Sequence, residues 1–217
     1  MKNVAIVDYG MCNLDSIARA VALCGGDSVV TDKYRDIKQA DAIILPGVGA
    51  FPKAMENIKN KSLDKILYEQ VIERNIPFLG ICLGMQLLAT KGWEVSETEG
   101  LGWISGEVKR LEPCGSDSRI PHVGWNEVHL VRESPLFRNI PSGKDFYFIH
   151  SYHFCVMEVD VIVARTIYGD DFVSAVQKGL IFGVQFQSRE KSAVRVSVNQ
   201  EFSRCTRLSV AHLNLDC

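Results

Sequence analysis

A chain of 217 residues, 47% hydrophobic and 23% charged, is long enough to bury a substantial core and ordinary for one soluble globular domain. A formal net charge of −2 with both signs interspersed leaves no basic face for nucleic acid and no polybasic cluster for a membrane surface. No segment approaches the ~18 uninterrupted apolar residues of a membrane span, and MKNVAIVDYG lacks the pattern of a signal peptide, so a cytoplasmic protein is expected.

In chain order, "NVAIVDYG" reads as a short apolar strand ending at Asp8 and Gly10. "LDSIARAVALCGG" follows with Leu14, Ile17, Ala18 and Val21 at helical spacing and Gly25 as a stop. "DAIILPGVGAF" repeats the strand-then-glycine design, and "SLDKILYEQVIE" is an amphipathic helix. "IPFLGICLGMQLLAT" runs from a buried strand through a turn into a helix. Three such units predict a mainly parallel sheet covered by helices. After Gly100 the pattern turns to strands: "WISGEVKRL", "WNEVHLV", "DFYFIHSYHF", "VIVARTIY" and "FVSAVQKGLIFGVQF", the last folded at its "QKG" into a hairpin.

Seven cysteines, at Cys12, Cys24, Cys82, Cys114, Cys155, Cys205 and Cys217, show neither paired zinc spacing nor a secreted framework. Reduced thiols are expected. His122, His150 and His153 have no second cluster at ligand spacing, so they read as hydrogen-bonded histidines, with no metal and no cofactor.

The strongest local signal is "GICLGMQ", Gly80 to Gln86. A nucleophile on a tight strand-to-helix turn needs small neighbours, and Gly80 and Gly84 flank Cys82 at two-residue spacing. Such a turn puts Cys82 at a helix N-terminus, where dipole and free N–H groups favour thiolate. The alternative is a buried structural cysteine between packing glycines. "PGVGAF", Pro46 to Phe51, also ends a strand, and its glycines let backbone N–H groups approach an oxyanion. Alone it is a weak signal, because a Pro-Gly turn is a commonplace loop.

Together these motifs resemble the class I, triad-type glutamine amidotransferases, specifically the glutaminase subunits of imidazole glycerol phosphate synthase. "DYGMCNL", "EGLGWISGEV", "PHVGWNEV" and "FYFIHSYH" add to the match in the family's order, over about residues 2 to 186. The resemblance implies an α/β, flavodoxin-like three-layer sandwich with a central mainly parallel sheet. It implies that Cys82 attacks the side-chain amide of glutamine, that the Gly47 to Gly49 loop and the Leu83 N–H hold the oxyanion, and that Gln86 and Glu94 contact the bound glutamine. Ammonia would pass to a cyclase (β/α)8-barrel subunit in a heterodimer, with Asn13, Trp125 and Asn126 at the barrel interface. Trp125 is otherwise readable as a core aromatic. Cys12 departs from a family glycine; if that position needs φ > 0, the substitution costs ~1 kcal/mol or somewhat more.

The family reads "QFHPEKS" where this chain has "QFQSREKS". In the family the histidine takes the thiol proton and later supplies it to departing ammonia, and the glutamate two residues on orients the imidazole. Here Gln187 occupies the histidine position and Arg189 the glutamate position, with Glu190 one residue out of register. An amide nitrogen is not basic near pH 7. The alternative is a substitute base elsewhere in the chain.

The departure has a form the genetic code explains. His-Pro-Glu-Lys-Ser written CAT CCC GAG AAA AGT and followed by a codon beginning with C becomes CAA TCC CGA GAA AAG TC with one extra purine, which translates as Gln-Ser-Arg-Glu-Lys-Ser. That is residues 187 to 192. "VNQEFS", re-read in the neighbouring frame, resembles the family's C-terminal helix. Residues 1–186 are therefore expected to form the amidotransferase domain and residues 187–217 to be an out-of-frame tail.

The expected outcome is a glutaminase subunit impaired in catalysis. Two other readings stay open: a non-catalytic docking partner of the barrel, and a paralogue feeding ammonia to a sugar-modifying amidotransferase. The tail alternates Val194, Val196 and Val198 with polar residues, a strand-like period where a helix is wanted, so residues 193–217 are expected to be irregular. Limited proteolysis should then cut early after Arg195, Arg204 or Arg207 and leave a core ending near Phe186. Resistance at those sites, with a protected helix across 193–210 in hydrogen exchange, would contradict this.

Overall fold

The computed structural model of the chain describes residues 3–12, 14–23, 25–112 and 119–187. Asn13, Arg189, Glu190 and the tail expected to be irregular lie outside the described residues. The first half holds β1 (Asn3–Val7), α1 (Leu14–Leu23), β2 (Asp27–Thr31), α2 (Tyr34–Lys38), β3 (Ala42–Gly47), α3 (Phe51–Asn60), α4 (Leu63–Tyr68), β4 (Phe78–Cys82) and α5 (Leu83–Gln86). Strands dominate thereafter: β5 (Lys91–Gly92), β6 (Thr98–Glu99), β7 (Gly106–Arg110), β8 (His122–Leu130), β9 (Lys144–His150), β10 (Tyr152–Val156), β11 (Ile162–Tyr168), β12 (Asp170–Lys178) and β13 (Ile181–Val184).

The main sheet has nine strands in the order β2-β1-β3-β4-β13-β12-β11-β8-β9. From β2 to β13 every pairing is parallel; from β13 outward the strands run antiparallel to their neighbours. The parallel half carries the site, because β3, β4 and β13 all end at the same edge. The "QKG" hairpin forms as expected, joining β12 to β13 with Gly179 at φ 59° in the turn. A second, four-stranded sheet (β10-β7-β5-β6) covers one face of the first.

Both faces of the parallel strands are buried, which explains their unbroken apolar runs. Ala5, Val7, Ile43 and Leu45 face α3, α4 and the small sheet. Val4, Ile6, Ala42 and Ile44 face the other way, where Leu14, Ile17, Ala18 and Val21 of α1 pack. The result is a three-layer α/β sandwich with a mixed sheet and a parallel centre.

Two elements differ from the sequence reading. "DFYFIHSYHF" is not one strand: it bends at Ser151, sending β9 to the edge of the main sheet and β10 to the small sheet. The helix over "SLDKILYEQVIE" is α-helical only through Tyr68 and continues as a π-helical turn over Glu69–Glu73. That turn buries Gln70, whose side chain pairs with Arg74 at 2.9 Å.

Beyond β13 the chain is pinned by an aromatic cluster. The Phe186 ring lies 4.1 Å from Phe146 and makes edge contacts with Phe148 and Phe137. Phe186 is 2% exposed. Phe186→Ala should therefore cost about 3–5 kcal/mol of unfolding free energy in urea titrations, a large part of a typical ~5–15 kcal/mol. A loss below about 1 kcal/mol would mean that this residue is not the anchor the packing indicates.

Candidate active site

Cys82 is the last residue of β4 and the one before α5, and its backbone sits at φ 55°, ψ −111°. A residue with a side chain rarely holds such a conformation unless its surroundings impose it. Here they do. A β-carbon on Gly80 would lie 2.5 Å from the Gly84 carbonyl oxygen, and one on Gly84 would run into the Leu45 carbonyl. The turn therefore closes only with glycine at both places, as the spacing around Cys82 indicates. Gly47 pairs in register with Cys82 across β3 and β4, and a β-carbon there would strike the Tyr9 hydroxyl.

The sulfur is buried and hydrogen-bonded by three groups: the Gln187 side chain, the Leu83 N–H and the Gln185 side chain, whose Nε2 donates at 3.8 Å. These contacts favour thiolate, yet burial outweighs them and pushes the thiol pKa up. The N–H at the helix N-terminus favours thiolate, as expected, but burial outweighs it. α5 has four residues and little dipole to offer, while desolvation of the sulfur is nearly complete.

Gln187 reaches the thiol because the chain after β13 stays extended. Its N–H donates to the Tyr147 carbonyl at 2.9 Å, a bridge to β9. With a period of two, Val184 and Phe186 turn into the apolar core while Gln185 and Gln187 face Cys82. Gln185 went unassigned in the sequence, although the alternation in "VQFQ" carries that signal.

Gln86 is buried, and its Nε2 donates to the Tyr152 carbonyl at 2.9 Å and to Gln185 Oε1 at 3.0 Å. Glu94 lies farther along the loop wall, where its carboxylate accepts the N–H of Phe51, the first residue of α3, at 2.7 Å. Gly49 has φ 101°, and the neighbouring Val48 N–H donates to the Met11 carbonyl at 2.9 Å. Of the backbone N–H groups expected to face the site, the Leu83 N–H is the one that meets the Cys82 sulfur.

Cys12 is not in the left-handed region, so the cost attached to a positive φ does not arise. Its thiol donates to the Pro46 carbonyl at 3.3 Å, and burial pushes its pKa up to about 11. Trp125 lies on β8, 40% exposed, edge-on to Tyr147 at 5.6 Å, and is no core aromatic. Asn126, next to it, spends its side chain internally: Nδ2 donates to the Ile167 carbonyl at 2.9 Å, and Oδ1 accepts the Glu127 N–H at 2.8 Å. The histidines of β8 and β9 meet in the interior, with His122 Nδ1 3.1 Å from His150 Nε2. Among the described residues no group of three or more His, Cys, Asp or Glu is arranged to hold a metal ion, and no helix is long and apolar enough to cross a membrane.

Comparison with known proteins agrees with this geometry. The family model for class-I glutamine amidotransferases matches residues 5–186. The imidazole glycerol phosphate synthase subunit HisH of Moorella thermoacetica is 44% identical over 207 residues, covering 95% of this chain and 97% of that protein. The HisH subunit of Lactococcus lactis is 39% identical over 203 residues, covering 93% and 98%. Among solved structures, a glutamine amidotransferase superposes with a TM-score of 0.66 at 17% identity, covering 84% of this chain and 89% of that one. Another glutamine amidotransferase, from Thermotoga maritima, gives 0.61 at 19%, covering 86% and 76%.

The buried histidines make stability depend on pH. Burial pushes His122 down to about 4 and His150 to about 3, from an ordinary value of 6.5. Both are neutral when folded, whereas the unfolded chain takes up protons below pH 6.5, so the unfolded state binds more protons as pH falls. Their contribution is complete above pH 6.5 and is lost progressively down to about pH 3 to 4. The melting temperature should fall between pH 7 and pH 5, and the fall should shrink in His122→Phe. A flat profile over that interval would contradict the burial of the pair.

Proposed function

Because the chain belongs to the class I glutamine amidotransferases, among the HisH subunits of imidazole glycerol phosphate synthase, we propose that it is the glutaminase subunit of that enzyme. Such a subunit hydrolyses glutamine to glutamate and hands the ammonia to a cyclase (β/α)8-barrel partner, which makes imidazole glycerol phosphate in histidine biosynthesis. Its place of work is the cytoplasm. With glutamine at position 187, the chain docks and holds its substrate but does not turn it over. The observation that carries this is the carboxamide of Gln187 hydrogen-bonded to the Cys82 sulfur, where the family's base would stand.

In the family's reaction the cysteine sulfur at the position of Cys82 attacks the side-chain carbonyl carbon of glutamine, forming a C–S bond while the carbonyl π electrons move to oxygen. The Leu83 N–H, with the Gly47 to Gly49 loop, receives that oxyanion. Gln86 and Glu94 shape the glutamine pocket, and Trp125 and Asn126, with Asn13, border the barrel. Attack requires the thiol proton to leave, and departure of ammonia requires a proton to arrive. The side chains on the sulfur, Gln187 and Gln185, are carboxamides and carry neither proton. The raised thiol pKa leaves little thiolate to act without a base.

The out-of-frame reading of residues 187–217 accounts for the missing base. The family model ends at residue 186, while the alignment with the Moorella subunit covers 95% of the chain and runs on into this segment, so the reading rests on the codon register of residues 187–192. Exposed Val123, Trp125 and Ile149 on β8 and β9 favour retained docking on the barrel even where hydrolysis is lost.

Glutamine hydrolysis by this chain with the barrel present should be near background and scarcely changed by Cys82→Ala, as expected when the general base is removed from a unit that acts cooperatively. Gln187→His puts a base against the sulfur and should raise Cys82-dependent ammonia release by about 10²-fold or more. Robust Cys82-dependent turnover by the unaltered chain would sink the reading and point to a substitute base.

A further inference from the structure

The buried histidines are joined to the site by one continuous hydrogen-bonded path. His150 Nδ1 lies 2.8 Å from the Tyr152 carbonyl oxygen, which can only accept, so the proton of His150 is on Nδ1. His150 Nε2 is then an acceptor, and His122 Nδ1, 3.1 Å away, must donate to it. His122 Nε2 is in turn left to accept, and Asn126 Nδ2 stands 3.4 Å from it with a hydrogen to give. The far end closes equally well: the second lone pair of the Tyr152 carbonyl takes the Gln86 Nε2–H at 2.9 Å. Every donor has one acceptor, and no other tautomer of either ring satisfies all the contacts.

We propose that His122 and His150 are a tautomer-locked pair of positioning residues, carrying a one-way hydrogen-bond chain from Asn126 on β8 to the Tyr152 carbonyl and through it fixing the Gln86 carboxamide beside Cys82. The proposal rests on the reading of Gln86 as part of the glutamine pocket. Packing holds the rings at the required angles. His122 lies between Tyr168, stacked at 3.8 Å, and Phe148, stacked at 4.9 Å, and Phe172 meets both imidazoles edge-on. His122 is 2% and His150 7% exposed, so water does not compete for these bonds. Burial keeps both rings neutral at pH 7, the only state in which the path is consistent, since an imidazolium at either position would set donor against donor. The path also explains the bend at Ser151. It brings Tyr152, first residue of β10, back over the ring of His150, last residue of β9, and so lets one carbonyl serve both the imidazole and Gln86.

The test is a long-range proton–nitrogen spectrum of the full chain with ¹⁵N-labelled histidine at neutral pH. His122 and His150 should both carry the proton on Nδ1, the minor form of free imidazole. An Nε2–H form at either ring overturns the proposal. In the same chain the Gln86 side-chain NH₂ signal should shift in His150→Leu and stay near its original position in His150→Asn, whose amide can place a donor close to Nδ1. Equal shifts in both variants would reduce the pair to packing and overturn the positioning role. Should His150→Leu fail to fold, Asn126→Ala decides, because loss of its donor should let an Nε2–H population appear at His122. No such population would overturn the Asn126 end of the path. None of these measurements needs glutamine, so a barrel complex that failed to bind glutamine while the tautomers stood as stated would count against the proposed function alone.

Discussion

The site depends on one backbone constraint, the turn that holds Cys82 at φ 55° between a parallel strand and a four-residue helix. A non-glycine residue held there stores about 1–3 kcal/mol, which the surroundings must over-determine. They do so from both sides. The register of β3 with β4 places Gly47 opposite Cys82, and that of β4 with β13 places Val184 opposite Ile81. With both ladders fixed, the chain after Cys82 has one way to continue, into the space that Gly80 and Gly84 leave empty. The sulfur consequently points to the edge where β13 ends, and the side chain of Gln187 is delivered to it.

Burial gives this arrangement its chemical character. The same close packing that imposes the turn removes water from the sulfur, and the cost of desolvating an anion exceeds what two carboxamides and one backbone N–H return. A buried thiol of this kind needs a proton acceptor in direct contact to become a nucleophile. The two glutamines satisfy the sulfur as a hydrogen-bonded neutral group.

Much of this was legible in the sequence, and the parts that were not share a cause. The glycine spacing around Cys82 and the runs "NVAIV", "AIILPG" and "FLGIC" are local signals, and each forms the element they indicate. The short strands β5 and β6 have two residues each and no periodicity to read. The split at Ser151 depends on which sheet each half joins, a long-range choice that an unbroken alternation does not reveal. The net state of the thiol was not legible because helix position is visible in sequence whereas the desolvation that outweighs it belongs to the assembled core. Gln185 was missed because two glutamines on one strand face look like a solvated stripe until Cys82 is placed beneath them.

The position of residue 187 is set by residues that precede it. Its N–H bonds to the Tyr147 carbonyl, a main-chain contact indifferent to the side chain, and Phe186 is locked by its ring among Phe146, Phe148 and Phe137. Period-two alternation from β13 then directs the next side chain at Cys82 whatever its identity. A histidine or a glutamine is brought to the sulfur by the same ladder, so the described residues up to 186 set where the side chain of residue 187 stands and not what it can do. This separation leaves the side chain at 187 free to vary while every described element upstream keeps its pairing. It also means that replacing one side chain, rather than rebuilding the sheet, is the smallest change that sets a proton acceptor against the thiol.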